Sequence, residues 1–476
     1  MARAASPTVA PGTALPWWVE EARLFDDPEA PPLSGAHEVD VAVVGGGYTG
    51  LWTALALRER DPTLRIAIVE RARVGDGPSG RNGGHIYGYW GSLAAVRAAL
   101  GDDRALQLAR AGDRIIPAVE SFCERRGEDV WLRRGGAIKV STTAHQDAKL
   151  EAAVEAARAI GAPEEAVPLT RDELADRCSS PRFRRGVFFR DGATLQPARL
   201  VKALRNALLA NDGIELFERS PVTRLIKGEP NILESTSGTL RARTAVLAVN
   251  AAATAWRPAA GRLTNFGSYI VLTEPVTDQL EELGWRGGEA MTDARMFLHY
   301  FRTTKDGRVL MGSGSGPIGL GGRLDGRFTH DAATAARAEA GLRHLLPALA
   351  GARVTHAWGG PIDVSADRIP FVDTVPGTRI HYAVGFSGNG VGPSWLAAQA
   401  LASLATERDD EWTQLPLVGR RTPRLPPEPL KRIGGGAVRA AVLTLEQADE
   451  TGRRAPLAAR AVAALPRLLG LRIGLR

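Results

Sequence analysis

Three glycine-rich loops, far apart in the chain, hold the residues best suited to chemistry. The first, Gly45-Gly-Gly-Tyr-Thr-Gly50, directly follows the apolar run Val41–Val44. Gly45 allows a tight turn, Gly47 lets the backbone approach a pyrophosphate, and Gly50 lets the following helix pack close to the strand. The unpaired N–H groups at the start of that helix attract phosphates. The spacing therefore predicts dinucleotide binding.

An acidic residue completes this pattern. Glu70 ends the second apolar run, Ile66–Val69, and lies 20 residues beyond Gly50. A carboxylate at this point can accept hydrogen bonds from both ribose hydroxyls and would repel a 2′-phosphate, which disfavours an NADP-type cofactor. The alternative is a chance Gly-x-Gly-x-x-Gly in a chain with 53 glycines. The agreement of strand, helix, second strand and acid argues against chance.

The other two loops suit the remainder of such a cofactor. Residues 75–84 combine glycines with Ser79, Arg81 and Asn82, which is a composition suited to wrapping a diphosphate and approaching a flat ring; a plain surface turn is the alternative. Residues 385–394 hold four glycines and a proline before a predicted helix at about 395–406. That helix would point its N-terminus at an anionic group, although simple loop-to-helix geometry also explains the pattern.

Composition restricts the class of protein. With 476 residues, 44% hydrophobic and 24% charged, the chain is expected to be a soluble globular protein of two or three interwoven units. We expect a cytoplasmic protein, because no apolar run reaches membrane-spanning length and the N-terminus lacks a hydrophobic signal core. The two cysteines, Cys123 and Cys178, exclude a disulfide framework and are expected to be buried apolar fillers. No metal site is predicted.

The net charge of +7 is concentrated at the C-terminus. Residues 420–476 contain 12 Lys and Arg against 4 Asp and Glu, so the rest of the chain is almost neutral. This distribution argues against a nucleic-acid partner. The tail, with Pro466 and Gly470 expected to break any long helix, could contact an anionic membrane surface. A helix packed on the nucleotide-binding domain with arginines outward is the favoured interpretation.

Periodicity and turn signals predict an alternation of helices and strands. Helices are expected in two stretches at about 92–126 and at 144–160, 197–210 and 330–345; strands are expected at 136–142, 214–217, 222–226, 232–236, 245–249, 264–275, 296–302 and 308–312. The predicted organisation is an N-terminal arm (1–37), a nucleotide-binding domain in three parts (38–90, 161–260, 351–419), a substrate domain in two parts (91–160, 261–350) and a basic tail (420–476).

Taken together, these blocks identify a family. VAVVGGGYTG with the following Val-Glu, GPSGRNGG and HYAVGFSGNGVG resemble the FAD-dependent amine and amino-acid oxidase superfamily of D-amino-acid, glycine and sarcosine oxidases. The leader from Trp17-Trp18 to Asp40 and the motif Trp358–Asp363 look more narrowly like the bacterial gamma-glutamylputrescine oxidoreductase branch. The resemblance covers roughly residues 15–410. It implies FAD, a discontinuous Rossmann-like (glutathione-reductase-type) FAD-binding domain, an interleaved α+β mixed-sheet substrate domain, and oxidation of a C–N bond.

The resemblance also assigns cofactor contacts, residue by residue. The positions that match the family's FAD-binding pattern are Gly45, Gly47, Tyr48, Thr49, Gly50, Glu70, Arg71, Ser79, Gly80, Arg81, Asn82, Gly83, Val222, Gly388, Asn389, Gly390 and Val391.

Departures from the family pattern narrow the expected function. Gly360 stands near the place of the cysteine that tethers flavin in sarcosine oxidases, so FAD is expected to be non-covalent, and His85, the nearest alternative tether, fits plain packing better. Gly392 and Ile362 occupy the places of the family's carboxylate-binding lysine and arginine, which favours an amine whose carboxylate is not gripped in the usual way. Leu310 occupies the place of the oxygen-activating lysine, so O2 or another acceptor remains open.

Substrate residues are less strongly indicated. Tyr87, Tyr89 and Trp90 follow the second loop and are candidates, with Tyr300, for the walls of the substrate pocket, although aromatic residues at this spacing also suit a core. Three tentative catalytic residues are Asn82, Arg302, which could bind a distal carboxylate or form a surface salt bridge, and Asp363, which could take a substrate ammonium or pair with Arg368.

The predicted function is oxidation of a small primary or secondary amine, or an amino acid, by hydride transfer to flavin. The resulting imine would hydrolyse to a carbonyl compound. Alternatives are a flavin dehydrogenase, a non-catalytic flavoprotein subunit, and a nicotinamide-dependent dehydrogenase, which the two additional glycine loops disfavour.

Overall fold

A parallel sheet forms around the first glycine loop. In the computed structural model, which describes residues 15–468, β1 (Gly35–Val44) pairs in parallel with β2 (Ile66–Val69). Every residue of Val41–Val44 and Ile66–Val69 is buried, as expected for strands of a parallel sheet covered on both faces. Helix α2 (Tyr48–Arg60) begins directly after Gly47 and connects the two strands.

This first sheet has eight strands within the described residues. Its order is β17-β18-β11-β1-β2-β8, and β10 and β9 extend antiparallel from β11. The remaining bounds are β8 (Ile214–Phe217), β9 (Arg224–Ile226), β10 (Asn231–Glu234), β11 (Gly238–Leu247), β17 (Phe371–Thr374) and β18 (Ile380–Val384). The sheet is assembled from segments more than 300 residues apart, which confirms the discontinuous nucleotide-binding architecture predicted from the loops.

A second, mainly antiparallel sheet holds the remaining long strands. Its order is β16-β12-β15-β14-β13-β4-β6-β5. The bounds are β4 (Ala137–Ser141), β5 (Val167–Leu169), β6 (Arg185–Phe189), β12 (Leu263–Thr273), β13 (Ala290–Asp293), β14 (His299–Thr303), β15 (Val309–Ser313) and β16 (Val354–Ser365). A two-stranded ribbon, β3 (His85–Ile86) with β7 (Ala193–Thr194), lies apart from both sheets. The interleaved α+β mixed-sheet domain is thereby confirmed.

Strand pairing corrects two of the expected boundaries. The predicted nucleotide-binding segment 161–260 contains β5 and β6, which pair with each other and with β4 in the second sheet. The predicted segment 351–419 likewise begins with β16, which pairs with β12 along its whole length. The chain therefore crosses between the sheets later than expected in both places, because long-range pairing decides sheet membership and local pattern does not.

Each predicted helix is present, with one difference in number, and the structure adds helices that the pattern did not predict. The bounds are α1 (Trp17–Glu21), α3 (Leu93–Leu100), α4 (Asp102–Gly112), α5 (Ile115–Arg126), α6 (Ala144–Ala159), α7 (Arg171–Ala175), α8 (Pro197–Leu209), α9 (Arg257–Ala260), α10 (Thr277–Glu282), α11 (Ala332–Leu345), α12 (Pro393–Ala405), α13 (Leu430–Glu450) and α14 (Leu457–Leu468). Three helices occupy 92–126 where two were predicted, since Gly101, at φ +82°, ends α3 and precedes α4. No helix of the described residues is long and apolar enough to cross a membrane.

The N-terminal arm is anchored on the first sheet. Trp17 and Trp18 are buried. Glu218, which follows β8 and is almost completely buried, accepts hydrogen bonds from the backbone N–H groups of Ala30 (2.7 Å) and Val74 (2.7 Å) and pairs with Arg205 at 3.2 Å. One carboxylate thus holds together the arm, the segment after β2 and helix α8. Residues 1–14 of the predicted arm lie outside the described residues.

Replacing Glu218 by alanine should lower the free energy of unfolding by about 3–5 kcal/mol, because it leaves the buried Arg205 guanidinium and two backbone donors without their acceptor. Denaturant unfolding of the holoprotein measures the effect. Glu215→Ala is the matched control on the same strand: its carboxylate is 51% exposed beside His37, so a change of at most about 1 kcal/mol is expected. Equal losses in the two variants would contradict this account.

Candidate active site

The three glycine loops converge on one groove of about 380 Å³ at the carboxyl ends of β1 and β2. This edge is where open α/β sheets bind ligands. Twelve of the predicted cofactor residues line the groove: Gly45, Gly47, Tyr48, Thr49, Glu70, Arg71, Ser79, Asn82, Val222, Gly388, Gly390 and Val391. Loops that lie more than 300 residues apart in the chain therefore form a single elongated site, as the motifs predicted.

The first loop needs glycine for steric reasons that can be measured. Gly45 has φ +112°, and a Cβ on it would lie 2.4 Å from the carbonyl oxygen of Ala248. A Cβ on Gly50 would lie 2.0 Å from the carbonyl oxygen of Gly45. Gly50 does not line the groove; its role is the close contact between α2 and β1. The loop therefore keeps the N-terminus of α2 next to bare backbone, which suits a pyrophosphate.

Glu70 and Ser79 tie the first two loops together. The Glu70 carboxylate accepts hydrogen bonds from the backbone N–H groups of Gly46 (2.7 Å) and Ala72 (2.9 Å), and burial raises its pKa. Ser79 Oγ accepts the backbone N–H of Tyr48 at 3.0 Å, the first residue of α2. Carboxylate oxygens have further acceptor capacity. Glu70 therefore fits the predicted contact with ribose hydroxyls from the edge of the groove.

The second loop is fixed by three donors from distant segments. Trp18 Nε1 donates to the carbonyl of Asn82 at 2.9 Å, and Trp358 Nε1 donates to the carbonyl of Arg81 at 2.8 Å. Arg302 donates to the carbonyl of Gly84 at 3.0 Å. The predicted role of Arg302 as a substrate-binding or salt-bridging residue is therefore wrong. Its side chain is 1% exposed, lies outside the cavity lining, and braces backbone carbonyls.

The side chain of Asn82, like that of Arg302, supports the backbone of the second loop. Its Nδ2 donates to the carbonyl of Ser79 at 2.8 Å, and its Oδ1 accepts the N–H of Gly84 at 2.8 Å. Asn82 still lines the groove. It therefore shapes the loop that separates the groove from the neighbouring cavity.

The third loop depends on Asp363. This carboxylate is fully buried at the end of β16 and accepts the backbone N–H groups of Gly385 and Phe386, and the amide of Asn250 at 3.1 Å. Burial raises the pKa of Asp363 to about 6. Neither predicted alternative describes it, because Asp363 faces loop backbone and not the substrate cavity, and Asp367 pairs with Arg420. Asp363 positions the turn that leads into α12.

A second cavity, of about 310 Å³, adjoins the groove. The two spaces share Pro78, Asn82, Pro361, Ile362, Gly388 and Val391. Tyr87 and Tyr300 line this cavity as predicted, together with Phe266 and Phe297. A cofactor ring extending along the groove would end at this shared wall. The cavity is therefore the candidate substrate pocket.

Several predicted residues lie elsewhere. Trp90 is buried and donates its indole N–H to Asp113 at 2.6 Å, so it is a core residue. Tyr89 is also buried and lines a separate, smaller cavity with Asn389. Gly80 packs against the backbone of Gly75 and lies outside the groove lining. Arg81 and Gly83 line the substrate cavity and not the groove.

His85 is a pocket residue that the sequence analysis treated as packing. It is 8% exposed, lines the cavity, and its Nε2 has no hydrogen-bond partner among residues 15–468. Its ring meets the Tyr300 ring edge-to-face at 5.8 Å. Burial, assisted by the charge of Arg302, lowers the pKa of His85 to about 3, against the opposing effect of the Phe301 carbonyl. His85 is therefore an uncharged imidazole in the cavity wall.

The positions where the chain departs from the family pattern lie around the same cavity. Gly360 and Ile362 line it. Leu310 is fully buried on β15, and its side chain lies 3.8 Å from the position that a Cβ on Gly83 would take. An aliphatic side chain thus stands beside the second loop where the family places a lysine.

The C-terminal hairpin (α13 and α14, residues 430–468) forms the roof of this cavity. Its lining residues are Leu430, Lys431, Gly434, Gly435, Ala437, Val438, Arg439, Val462, Leu465 and Pro466. The expectation that the tail packs on the nucleotide-binding domain is therefore wrong, and α14 continues through Pro466. The signal that could have located α13 is the apolar spacing of Ile433, Val438, Ala441 and Val442, which three consecutive glycines obscure.

The groove and its three glycine loops define a dinucleotide-binding enzyme with a cavity beside the groove, and comparison with known proteins agrees. Residues 40–404 match the model of the FAD dependent oxidoreductase (DAO) family, and the chain belongs to this family. It is 30% identical to the probable oxidoreductase OrdL of Rhizobium meliloti over 85% of this chain and 90% of that protein. It is 28% identical to the gamma-glutamylputrescine oxidoreductase of Escherichia coli over 83% of this chain and 91% of that protein.

Solved structures support the fold. Glycine oxidase from Geobacillus kaustophilus superposes with a TM-score of 0.66 at 24% identity, over 81% of this chain and 99% of that one. The family match confirms the predicted cofactor, FAD. The groove fits it, because a glycine cradle, an open helix N-terminus and a ribose-facing carboxylate occur in the required order.

Replacing Gly50 by alanine should weaken FAD binding at least about tenfold, because the new Cβ would force α2 away from β1 at a cost of about 1–3 kcal/mol. Titration of the apoprotein with FAD measures the affinity. Gly261→Ala is the control, since a Cβ there meets no atom within 4 Å. Unchanged FAD affinity in Gly50→Ala would contradict the role of the loop.

Proposed function

We infer that this protein oxidises the C–N bond of a primary or secondary amine or an amino acid, with FAD in the groove and the substrate in the adjoining cavity. The observation that carries this proposal is the shared wall between the two spaces, at Asn82, Ile362, Gly388 and Val391. The names of similar proteins, gamma-glutamylputrescine oxidoreductase and glycine oxidase, support an amine or amino acid as the substrate class.

The charge of the cavity favours the neutral form of an amine. Four cationic residues, Arg81, Arg368, Lys431 and Arg439, line it, and no Asp or Glu does among the described residues. Carboxylates outside the lining offset part of this charge, since Arg81 pairs with Asp76 at 3.2 Å and Lys431 pairs with Glu428 at 3.3 Å. A positive environment disfavours a bound ammonium and lowers its pKa. An amine must lose its additional proton before its α-carbon can give up a hydride, so the cavity prepares the substrate for oxidation without a strong base.

His85 gives the cavity an uncharged wall. The low pKa keeps the imidazole neutral at physiological pH, and its ring meets the Tyr300 ring edge-to-face at 5.8 Å. Tyr87 and Tyr300 supply aromatic walls on the same side of the cavity. These residues fix the reacting carbon and exclude water, which is the contribution expected of a protein whose cofactor performs the electronic step.

When bound, FAD supplies the hydride acceptor, non-covalently here because Gly360 offers no thiol at the tether position. The substrate loses a hydride and a proton to become an imine, which water hydrolyses to a carbonyl compound and an amine. O2 or another electron acceptor then takes the electrons. The buried Leu310 beside the second loop favours an acceptor other than O2.

Mixing the purified holoprotein anaerobically with a panel of primary and secondary amines and amino acids should bleach the visible flavin absorbance with at least one of them. Admission of air then distinguishes an oxidase, which recovers its colour at once, from a dehydrogenase, which recovers slowly. If the protein retains FAD but no compound bleaches it, it is a non-catalytic flavoprotein subunit and the proposal fails.

Replacing His85 by alanine should slow flavin reduction about tenfold, because loss of the ring that packs against Tyr300 leaves the bound amine less firmly positioned. Because His85 is already neutral well above its pKa of about 3, the pH profile of kcat/KM between pH ~5 and ~9 should keep its shape. Stopped-flow reduction across pH provides both readouts, with His145→Ala as an exposed-histidine control. If the acidic limb of the kcat/KM profile disappears in His85→Ala, His85 is the titrating base and this account is wrong.

A further inference from the structure

The C-terminal hairpin carries most of the exposed large apolar side chains of the structure. Eight large apolar side chains are exposed among the described residues, and five of them belong to this hairpin: Leu430 (62%), Ile433 (66%), Leu457 (78%), Leu465 (46%) and Leu468 (79%). Leu430 and Leu465 border the cavity, whereas Ile433, Leu457 and Leu468 lie outside its lining. On α14 the exposed positions Leu457, Ala461 and Leu468 recur at helical spacing and form one stripe outside the cavity lining. Apolar surface concentrated in this way marks an interaction site.

The acidic residues of the hairpin all face the body of the protein. Glu446 accepts the backbone N–H of Met296 at 2.6 Å, and Asp449 accepts the hydroxyl of Thr143 at 2.5 Å. Glu450 pairs with Arg295 at 2.6 Å and with His344 at 2.9 Å. These bonds attach α13 to the second sheet, and they engage all three carboxylates of the hairpin.

The arginines have the opposite distribution. Arg432, Arg453, Arg454 and Arg460 are exposed, and no described carboxylate lies within ion-pair distance of any of them. Only Arg439 turns inward, where it donates to the carbonyl of Ser315 at 2.9 Å. Charge is therefore segregated across the hairpin, with acids inward and arginines outward next to the leucine stripe.

We propose that this outer face of the C-terminal hairpin docks on an anionic lipid surface. Arginines beside exposed leucines on a helix face are what an interfacial helix needs, since the leucines enter the headgroup boundary and the guanidinium groups meet lipid phosphates. The last residues of the sequence, 469–476, which lie outside the described structure, continue the same composition with Arg472 and Arg476 among Leu and Ile.

The charge distribution favours lipid over the other possible occupants. A second copy of the chain would place one arginine-rich face against another, which like-charge repulsion opposes. A nucleic acid would engage the arginines but leave the leucine stripe without an apolar partner. Anionic lipid satisfies both features of the face.

Sedimentation of the FAD-loaded full chain with vesicles tests the proposal. The protein should bind phosphatidylcholine vesicles that contain phosphatidylglycerol, and binding should weaken with added salt and be absent on phosphatidylcholine alone. Because each arginine near an anionic leaflet contributes about fivefold to partitioning, replacing Arg432, Arg453, Arg454 and Arg460 by glutamine should lower the partition coefficient at least about 100-fold. Leu457→Ser with Leu468→Ser should lower it at least about tenfold.

The matched control removes the same charge from β9, the residue after it and β11 in the first sheet: Arg224→Gln, Lys227→Gln, Arg241→Gln and Arg243→Gln, all at exposed positions. This control should bind vesicles as the wild type does. Flavin absorbance and the thermal midpoint of each variant show that the fold is retained. These measurements do not depend on which amine the protein oxidises.

Four outcomes would overturn the proposal. The first is no binding to phosphatidylglycerol vesicles, and the second is equal loss of binding in the control variant. The third is a dimer in light scattering that Leu457→Ser with Leu468→Ser dissociates, which would assign the face to a second copy of the chain. Binding to duplex DNA that exceeds binding to vesicles would likewise assign the arginines to a nucleic acid.

Discussion

The site depends on fixing the backbone of the second glycine loop, residues 75–84, in one conformation. The second glycine loop separates the cofactor groove from the adjoining cavity, and it is half-buried at Arg81 and Asn82 and buried at Gly83 and Gly84. Two tryptophan indoles and one guanidinium, contributed by the N-terminal arm, β16 and β14, donate to the carbonyls of Asn82, Arg81 and Gly84. Buried backbone acceptors must be paired, so these three elements have to come together before the wall between the two spaces exists. The discontinuous fold and the position of the arm follow from this requirement.

The electrostatics of the site arise from the same arrangement. Arg302, buried without a carboxylate partner in the described residues, has its pKa lowered to about 9 by burial, with a smaller effect from Arg133, and its charge helps to keep His85 neutral. The carboxylates near the cofactor, Glu70 and Asp363, are engaged by backbone N–H groups and lie outside the cavity lining. Negative groups thus organise the groove while positive groups surround the substrate. The separation suits chemistry that requires an uncharged amine next to a cofactor that gains negative charge.

Sequence patterns predicted the groove well and the cavity poorly, for a physical reason. The glycine loops act through backbone geometry, which local sequence dictates, so Gly45, Glu70, Ser79 and Gly388 lie where the motifs require. Side chains that act at long range are different: alternation along β14 showed which face Arg302 occupies but not that β3 and β7 would bury it. The hairpin was missed because Gly434–Gly436 disfavour a helix in isolation. In the folded chain these glycines lie under the roof, where a Cβ on Gly435 would be 3.4 Å from Ile318, so packing overrides propensity.

The roof of the cavity lies outside residues 40–404, the part of the chain that matches the family. The loops that hold FAD and the surface that encloses the substrate are therefore contributed by separate stretches of the gene product. Replacement or loss of the C-terminal hairpin can change the size and polarity of the cavity without changing any residue of the glycine loops. Members of one family with the same loops can for this reason diverge in the molecules they admit, and a similar core is weak evidence for a shared substrate.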